Sequence, residues 1–224
     1  MPKKKRETVL CVCAHSDDQV FGPGGTLARY AREGKEVYTV ILSYGEMSHP
    51  HFKEDVIIKT RVDEALAADK VIGGGGVEFF GLKEGRFKEE AKRRKVRARL
   101  VRLFGELRPV KVLTHASDDP HPDHGATCAI VKAAYDKAGL SCPLYTFDVW
   151  TLFSRHKRDA PKLVVDVSKT YRTKLRALRK FRSQLGVWGF LINIYYVYAG
   201  MLWRNFFSGL KHGCRFAEVF YRLR

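Results

Sequence analysis

Apolar runs of strand length alternate along this chain with stretches of helical spacing. Residues 9–14 are apolar throughout and read as a strand buried on both faces; 36–43, 77–80, 110–114, 144–149 and 163–167 follow, the last closing the series. Helical patterns occupy 26–32, stopping at Gly34, and 55–72, stopping at Gly73. Across 87–107, Val96, Leu100, Leu103, Phe104 and Leu107 make one stripe among Arg and Lys, so a single long amphipathic helix is expected, ended by Pro109. Further helices are expected over 125–137 and 171–185, the latter with Tyr171, Leu175, Leu178, Phe181 and Leu185 on one face. Strands separated by helices of this length predict a mostly parallel sheet covered on both sides, in one α/β domain spanning 1–224.

Composition agrees with that class: 224 residues with 45% hydrophobic content can bury a core, which excludes disorder and disulfide-dense scaffolds. Five cysteines, an odd count with no secretion leader before them, point to reduced thiols and a cytoplasmic location. Cys11 and Cys13 share one side of a buried strand and read as packing residues. The four glycines 73–76 follow a helix and precede a strand, so they read as a helix stop and a turn.

Charge changes the picture more. Forty-one Lys and Arg against 24 Asp and Glu leave +17, which favours phosphates, anionic lipid or nucleic acid. The basic residues of 86–108 surround an ordinary core stripe with no stacking aromatics, so nucleic acid is not the expected partner. Residues 1–6 read as a solvated basic terminus. The apolar stretch 186–203 would span about 27 Å as a helix, just short of a bilayer core of roughly 30 Å. Burial in a subunit interface, hence a homo-oligomer, or beside the pocket is the first expectation for it. Peripheral contact with a membrane surface is the second.

The chemistry concentrates after two strands. Ala14-His15-Ser16-Asp17-Asp18 follows the first, and His121-Pro122-Asp123-His124 lies in the loop after the fourth. Loops at the carboxyl ends of parallel strands meet in one crevice, so the segments can converge. A catalytic zinc takes three N/O ligands and leaves one position for water, and His15, Asp18 and His124 would supply them. Asp17 is then free to take a proton from the water, and His121, if protonated, could stabilise an oxyanion. Taken alone, Asp-Asp after a strand is often a helix cap and His-x-x-His is common. A dinucleotide loop is excluded because Gly22-Pro23-Gly24-Gly25 lacks the required spacing and the two aspartates would repel a pyrophosphate. His49, His51, Arg155 and His156 follow strands and could reach the rim of the same crevice.

The two motifs resemble those of the PIG-L/LmbE-like zinc N-deacetylases, with Ser16 and Gln19 departing from the usual proline and glutamate. Weaker echoes are Gly45-Glu46, Arg61, Glu64, Ser183-Gln184 and Ala217-Glu218. The resemblance implies a Rossmann-like three-layer sandwich with its metal site at the carboxyl ends of the strands. By similarity His15, Asp18 and His124 hold Zn2+ or another divalent ion, Asp17 is the general base and His121 steadies the oxyanion. Asp123 would orient a histidine from the second layer, and Arg61 would contact substrate. The implied reaction removes acetyl from an N-acetylglucosamine-type conjugate, a small molecule or a lipid-linked amino sugar. Two alternatives stand beside it: a non-catalytic basic scaffold for membranes or nucleic acid, and a metal hydrolase of another amide.

Overall fold

The computed structural model describes residues 6–48, 53–150, 162–184 and 191–224. The elements are β1 (Thr8–Cys13), α1 (Asp18–Phe21), α2 (Gly24–Arg32), β2 (Glu36–Ser43), α3 (Glu54–Ile72), β3 (Gly76–Leu82), α4 (Phe87–Arg93) and α5 (Val96–Leu107). Then come β4 (Lys111–His115), α6 (Pro122–Ala138), β5 (Leu144–Phe147), β6 (Lys162–Asp166), α7 (Tyr171–Leu178), α8 (Leu191–Lys211) and β7 (Ala217–Arg222).

The described strands form one sheet in the order β3-β2-β1-β4-β5-β7-β6. From β3 to β5 every pairing is parallel; β7 pairs antiparallel with both β5 and β6. Side chains alternate across β1, so Val9, Cys11 and Cys13 join one core while Leu10, Val12 and Ala14 join the other. The first core packs under α2, α3, α7 and α8 through Leu27, Ala65, Tyr171 and Met201. The second packs under α4, α5 and α6 through Phe87, Leu100 and Val131. This is the three-layer α/β sandwich the sequence predicts. Chain order runs outward from β1 through β2 to β3, then returns to β4 on β1's other side. The carboxyl ends of β1 and β4 therefore flank a topological switch point.

Four expectations need correction. The 87–107 helix breaks at Arg94 and Lys95, whose φ of 52° is left-handed, and becomes α4 and α5; the uniform hydrophobic period hid the break. The strand expected at 163–167 is not the last, since β7 inserts between it and β5. The 171–185 helix stops at Leu178 and gives way to a 3-10 turn over Arg182–Gln184. The helix expected at 125–137 starts at Pro122, with His121 as its N-cap and Pro122 at a position that needs no N–H. His124 consequently stands in the first turn of α6 and not in a loop.

The glycine run does end a helix: Gly73 caps α3 at φ +86°. The apolar stretch predicted at 186–203 corresponds to α8 from Leu191 onward, which continues to Lys211. No helix among the described residues is long and apolar enough to cross a membrane.

Candidate active site

A cavity of about 370 Å³ opens at the switch point, lined among others by His15, Asp17, Asp18, Arg61, His121 and Asp123. His124 lies one layer deeper, wholly buried. Backbone geometry aims these groups. Asp18 turns its Oδ2 back to accept the His15 N–H at 2.7 Å. Asp17 occupies the N-cap position of α1 yet makes no side-chain capping bond, which leaves its carboxylate to the cavity. His121 accepts the Asp123 N–H on Nδ1 at 3.2 Å, so a neutral His121 carries its proton on Nε2.

Three ring nitrogens converge on Asp18 Oδ2: His15 Nδ1 at 3.3 Å, His124 Nε2 at 3.3 Å and His115 Nε2 at 3.2 Å. Donors sharing one tetrahedral zinc at about 2.0–2.1 Å stand roughly 3.4 Å apart, and His15 Nδ1 and His124 Nε2 each stand at about that distance from Asp18 Oδ2. His124 Nε2 is buried and makes no hydrogen bond among the described residues, an orphan that a cation would satisfy. Sets of three donors within 4.8 Å of one another arise in two ways, His15-His121-His124 and Asp18-His115-His124. The predicted His15-Asp18-His124 set takes His15 from the first group and Asp18 from the second, with His124 common to both.

Carboxylates stand behind the histidines. His15 Nε2 lies 3.4 Å from Asp123 and 3.6 Å from Glu84, and His124 Nδ1 lies 2.9 Å from Asp119. Asp119 also accepts the N–H groups of His121, Val149 and Trp150. Burial opposes protonation of His124, but Asp18 and Asp119 outweigh it and hold its pKa up at about 8. His15 is raised in the same way by Asp123 and Asp18 against its burial. Burial with neighbouring positive rings pushes His115 and His121 down to about 4. Asp18 is driven well below the usual carboxylate range, burial notwithstanding, by His124 and His115.

Asp123 thus backs His15, while the residue behind His124 is Asp119, which the sequence reading missed. It also missed Glu84, in the turn after β3, and His115, at the end of β4. His115 stacks on His124 with ring centroids 3.8 Å apart and accepts the Ala14 N–H at 3.0 Å. Position was the available signal: His115 closes β4, and Asp119 lies between that strand and the second motif.

Arg61, on α3, is buried and reaches Asp17 at 3.4 Å. Its approach explains Gly45, where φ is +79° and a Cβ would sit 2.8 Å from Arg61 Nε. Glu64 accepts the N–H and hydroxyl of Ser183, both at 2.7 Å. Glu218 lies away from the cavity and holds the start of α2. His49, His51, Arg155 and His156 lie outside the described residues.

The sequence profile of the family described as PIG-L, GlcNAc-PI de-N-acetylase, matches residues 10–135. The chain belongs to the PIG-L family. It is 30% identical over 158 residues to the 1D-myo-inositol 2-acetamido-2-deoxy-alpha-D-glucopyranoside deacetylase of Rhodococcus jostii (strain RHA1), which covers 58% of this chain and 54% of that enzyme. The chain therefore spans about half the length of that relative. A second relative, the 4-oxalmesaconate hydratase of Pseudomonas putida (strain KT2440), is 24% identical over 84% of this chain and 78% of its own. Among solved structures, a conserved protein of Thermus thermophilus superposes with a TM-score of 0.77 at 26% identity, covering 96% of this chain and 94% of its own. The N,N'-diacetylchitobiose deacetylase of Pyrococcus horikoshii shares the fold, with a TM-score of 0.76 at 22% identity over 99% of this chain and 85% of its own.

Proposed function

We propose that this PIG-L family member is a zinc-dependent hydrolase that removes the N-acetyl group from an N-acetylglucosamine-type conjugate, giving acetate and a free amine. The observation that carries the reading is the convergence of His15 and His124 on Asp18, with Asp17 facing the same cavity and paired with Arg61. His15, Asp18 and His124 would hold the metal. Bound there, zinc lowers the pKa of water toward about 7 and polarises the acetyl carbonyl. Asp17 accepts the proton of the attacking water and passes it to the leaving nitrogen. Arg61 fixes the orientation of Asp17 through their 3.4 Å contact and borders the substrate. His121 donates Nε2–H to the oxyanion that develops on the carbonyl oxygen, which needs no second proton on the ring. Asp123, behind His15, keeps that ring turned.

The test is acetate release from a panel of N-acetylglucosamine conjugates, comparing wild type with Asp17→Asn at matched zinc content. Wild type should turn over, and the variant should keep zinc while losing about 10²–10⁴-fold in rate, the usual worth of a general base. Retained turnover in Asp17→Asn removes Asp17 from the mechanism. The extent of similarity to the Pseudomonas hydratase favours one second reading, water addition to an unsaturated acid. 4-Oxalmesaconate belongs in the panel, and its hydration without acetate release from any amide would establish that reading instead.

A further inference from the structure

Along α8 the inward positions Val197, Met201, Asn205 and Gly209 repeat every four residues and are buried. The opposite face is also apolar. Tyr196, Trp203, Phe207 and Leu210 follow at helical spacing and are 46%, 53%, 44% and 57% exposed, with Phe206 beside them at 40%. Among the described residues, five of the nine exposed large hydrophobic side chains therefore lie on this one helix. The other four are scattered singly, as is ordinary for a soluble surface.

Charge selects the occupant. Within 191–211 the only ionisable groups besides tyrosine are Arg204 and Lys211, so α8 carries no acid. Lys211 is exposed at the end of the stripe, and Arg215 just beyond it is exposed as well. Beneath the stripe, a cavity of about 610 Å³ between α8 and β7 is lined by Trp203 and Phe207 together with Lys162, Lys211 and His212, and by Asp148 and the Lys174-paired Glu218. A second copy of the chain would bring the same cation-rimmed face against itself, in a molecule that already carries +17. An anionic lipid surface complements both features: aromatic side chains sit at the headgroup level, and lysine and arginine reach the phosphates.

We propose that α8 docks the protein onto an anionic lipid surface through Tyr196, Trp203, Phe207 and Leu210, with Lys211, Arg215 and Lys162 meeting lipid phosphates. The helix lies in the interface and does not cross it. Val197, buried next to Tyr196, lines the cavity at the switch point, so one helix touches both that site and the docking face.

The test is co-sedimentation of the full chain with vesicles of phosphatidylcholine alone and of phosphatidylcholine mixed with phosphatidylglycerol. Binding is expected only to the mixed vesicles, weakening as salt is raised. Trp203→Ser with Phe207→Ser, both at exposed positions, should abolish it while leaving circular dichroism unchanged. Lys211→Glu with Arg215→Glu should lower partitioning about tenfold or more. Binding that the serine pair leaves intact would mean charge adsorption alone and overturn the proposal, as would no binding at low salt. A dimer in sedimentation velocity that the serine pair dissociates, with no vesicle binding, would assign the face to a second copy instead.

Discussion

Each histidine proposed as a ligand turns its second ring nitrogen toward a carboxylate, His15 toward Asp123 and His124 toward Asp119. Such a carboxylate fixes the ring and raises its basicity, and removing one commonly costs 10–100-fold in metal affinity. Asp119→Ala should therefore weaken zinc binding by about 10–100-fold in a chelator competition, with the fold retained. Unchanged affinity would reduce Asp119 to a loop-holding role. The same contacts set a pH dependence. His124 must be unprotonated to bind a cation, and its pKa stands near 8. Zinc affinity should then be greatest above pH 8 and fall by about tenfold per unit, or more, as the solution is acidified below it. Affinity that rises on acidification would refute the ligand assignment. At this scale much of the cluster could be read from sequence, because His15, Asp17, Asp18, His121 and Asp123 come in two contiguous motifs. Asp119, Glu84 and His115 belong to no motif; only the parallel sheet brings them beneath those rings.

The elements were legible where hydrophobic period and terminators agreed. β2 is found at 36–43 and α3 ends at Gly73, as expected. The reading failed where one pattern ran across a backbone break, as at Lys95, or where a partner distant in sequence decided the pairing, as with β7. Alternation over 217–222 was the available signal for that strand, and its buried Glu218 obscured it. Glu218 accepts the N–H groups of Gly25 and Thr26 at 3.0 and 2.7 Å, and its ion pair with Lys174 is 2.6 Å long. A carboxylate at the N-terminus of α2 thus ties β7 and α7 to one point. A Cβ on Gly25 would come within 2.8 Å of Val167, so only glycine fits there. The two partners are not equivalent. Glu218→Gln leaves the fully buried Lys174 ammonium its bonds to the Phe21 and Gly22 carbonyls but no counter-charge, and should cost about 3–5 kcal/mol. Lys174→Met leaves Glu218 held by two backbone donors and a helix end, and should cost less, about 1–3 kcal/mol. Urea denaturation of both variants reads the order; the reverse order would mean that the carboxylate is held chiefly by the lysine.

On the scale of the whole molecule, the proposed ligands join the two halves of the sheet. His15 and Asp18 follow β1, whose chain continues outward to β2 and β3, whereas His124 is carried by α6 between β4 and β5. A metal held by His15, Asp18 and His124 would close the switch point across segments about a hundred residues apart in sequence. That linkage is thermodynamic as well as geometric. Zinc that binds the native chain and not the unfolded one stabilises it by about 2.7 kcal/mol when free metal is a hundredfold above its dissociation constant. For a chain of this length each kcal/mol moves the unfolding midpoint by about 2–4 °C. Removing zinc with a chelator should therefore lower Tm by roughly 5–11 °C, and restoring the metal should reverse it. The control is His124→Ala, in which the chelator should no longer shift Tm because the bridging ligand is gone. An equal shift in wild type and in that variant would mean that the stabilising metal binds elsewhere, and the bridge across the switch point would have to be abandoned.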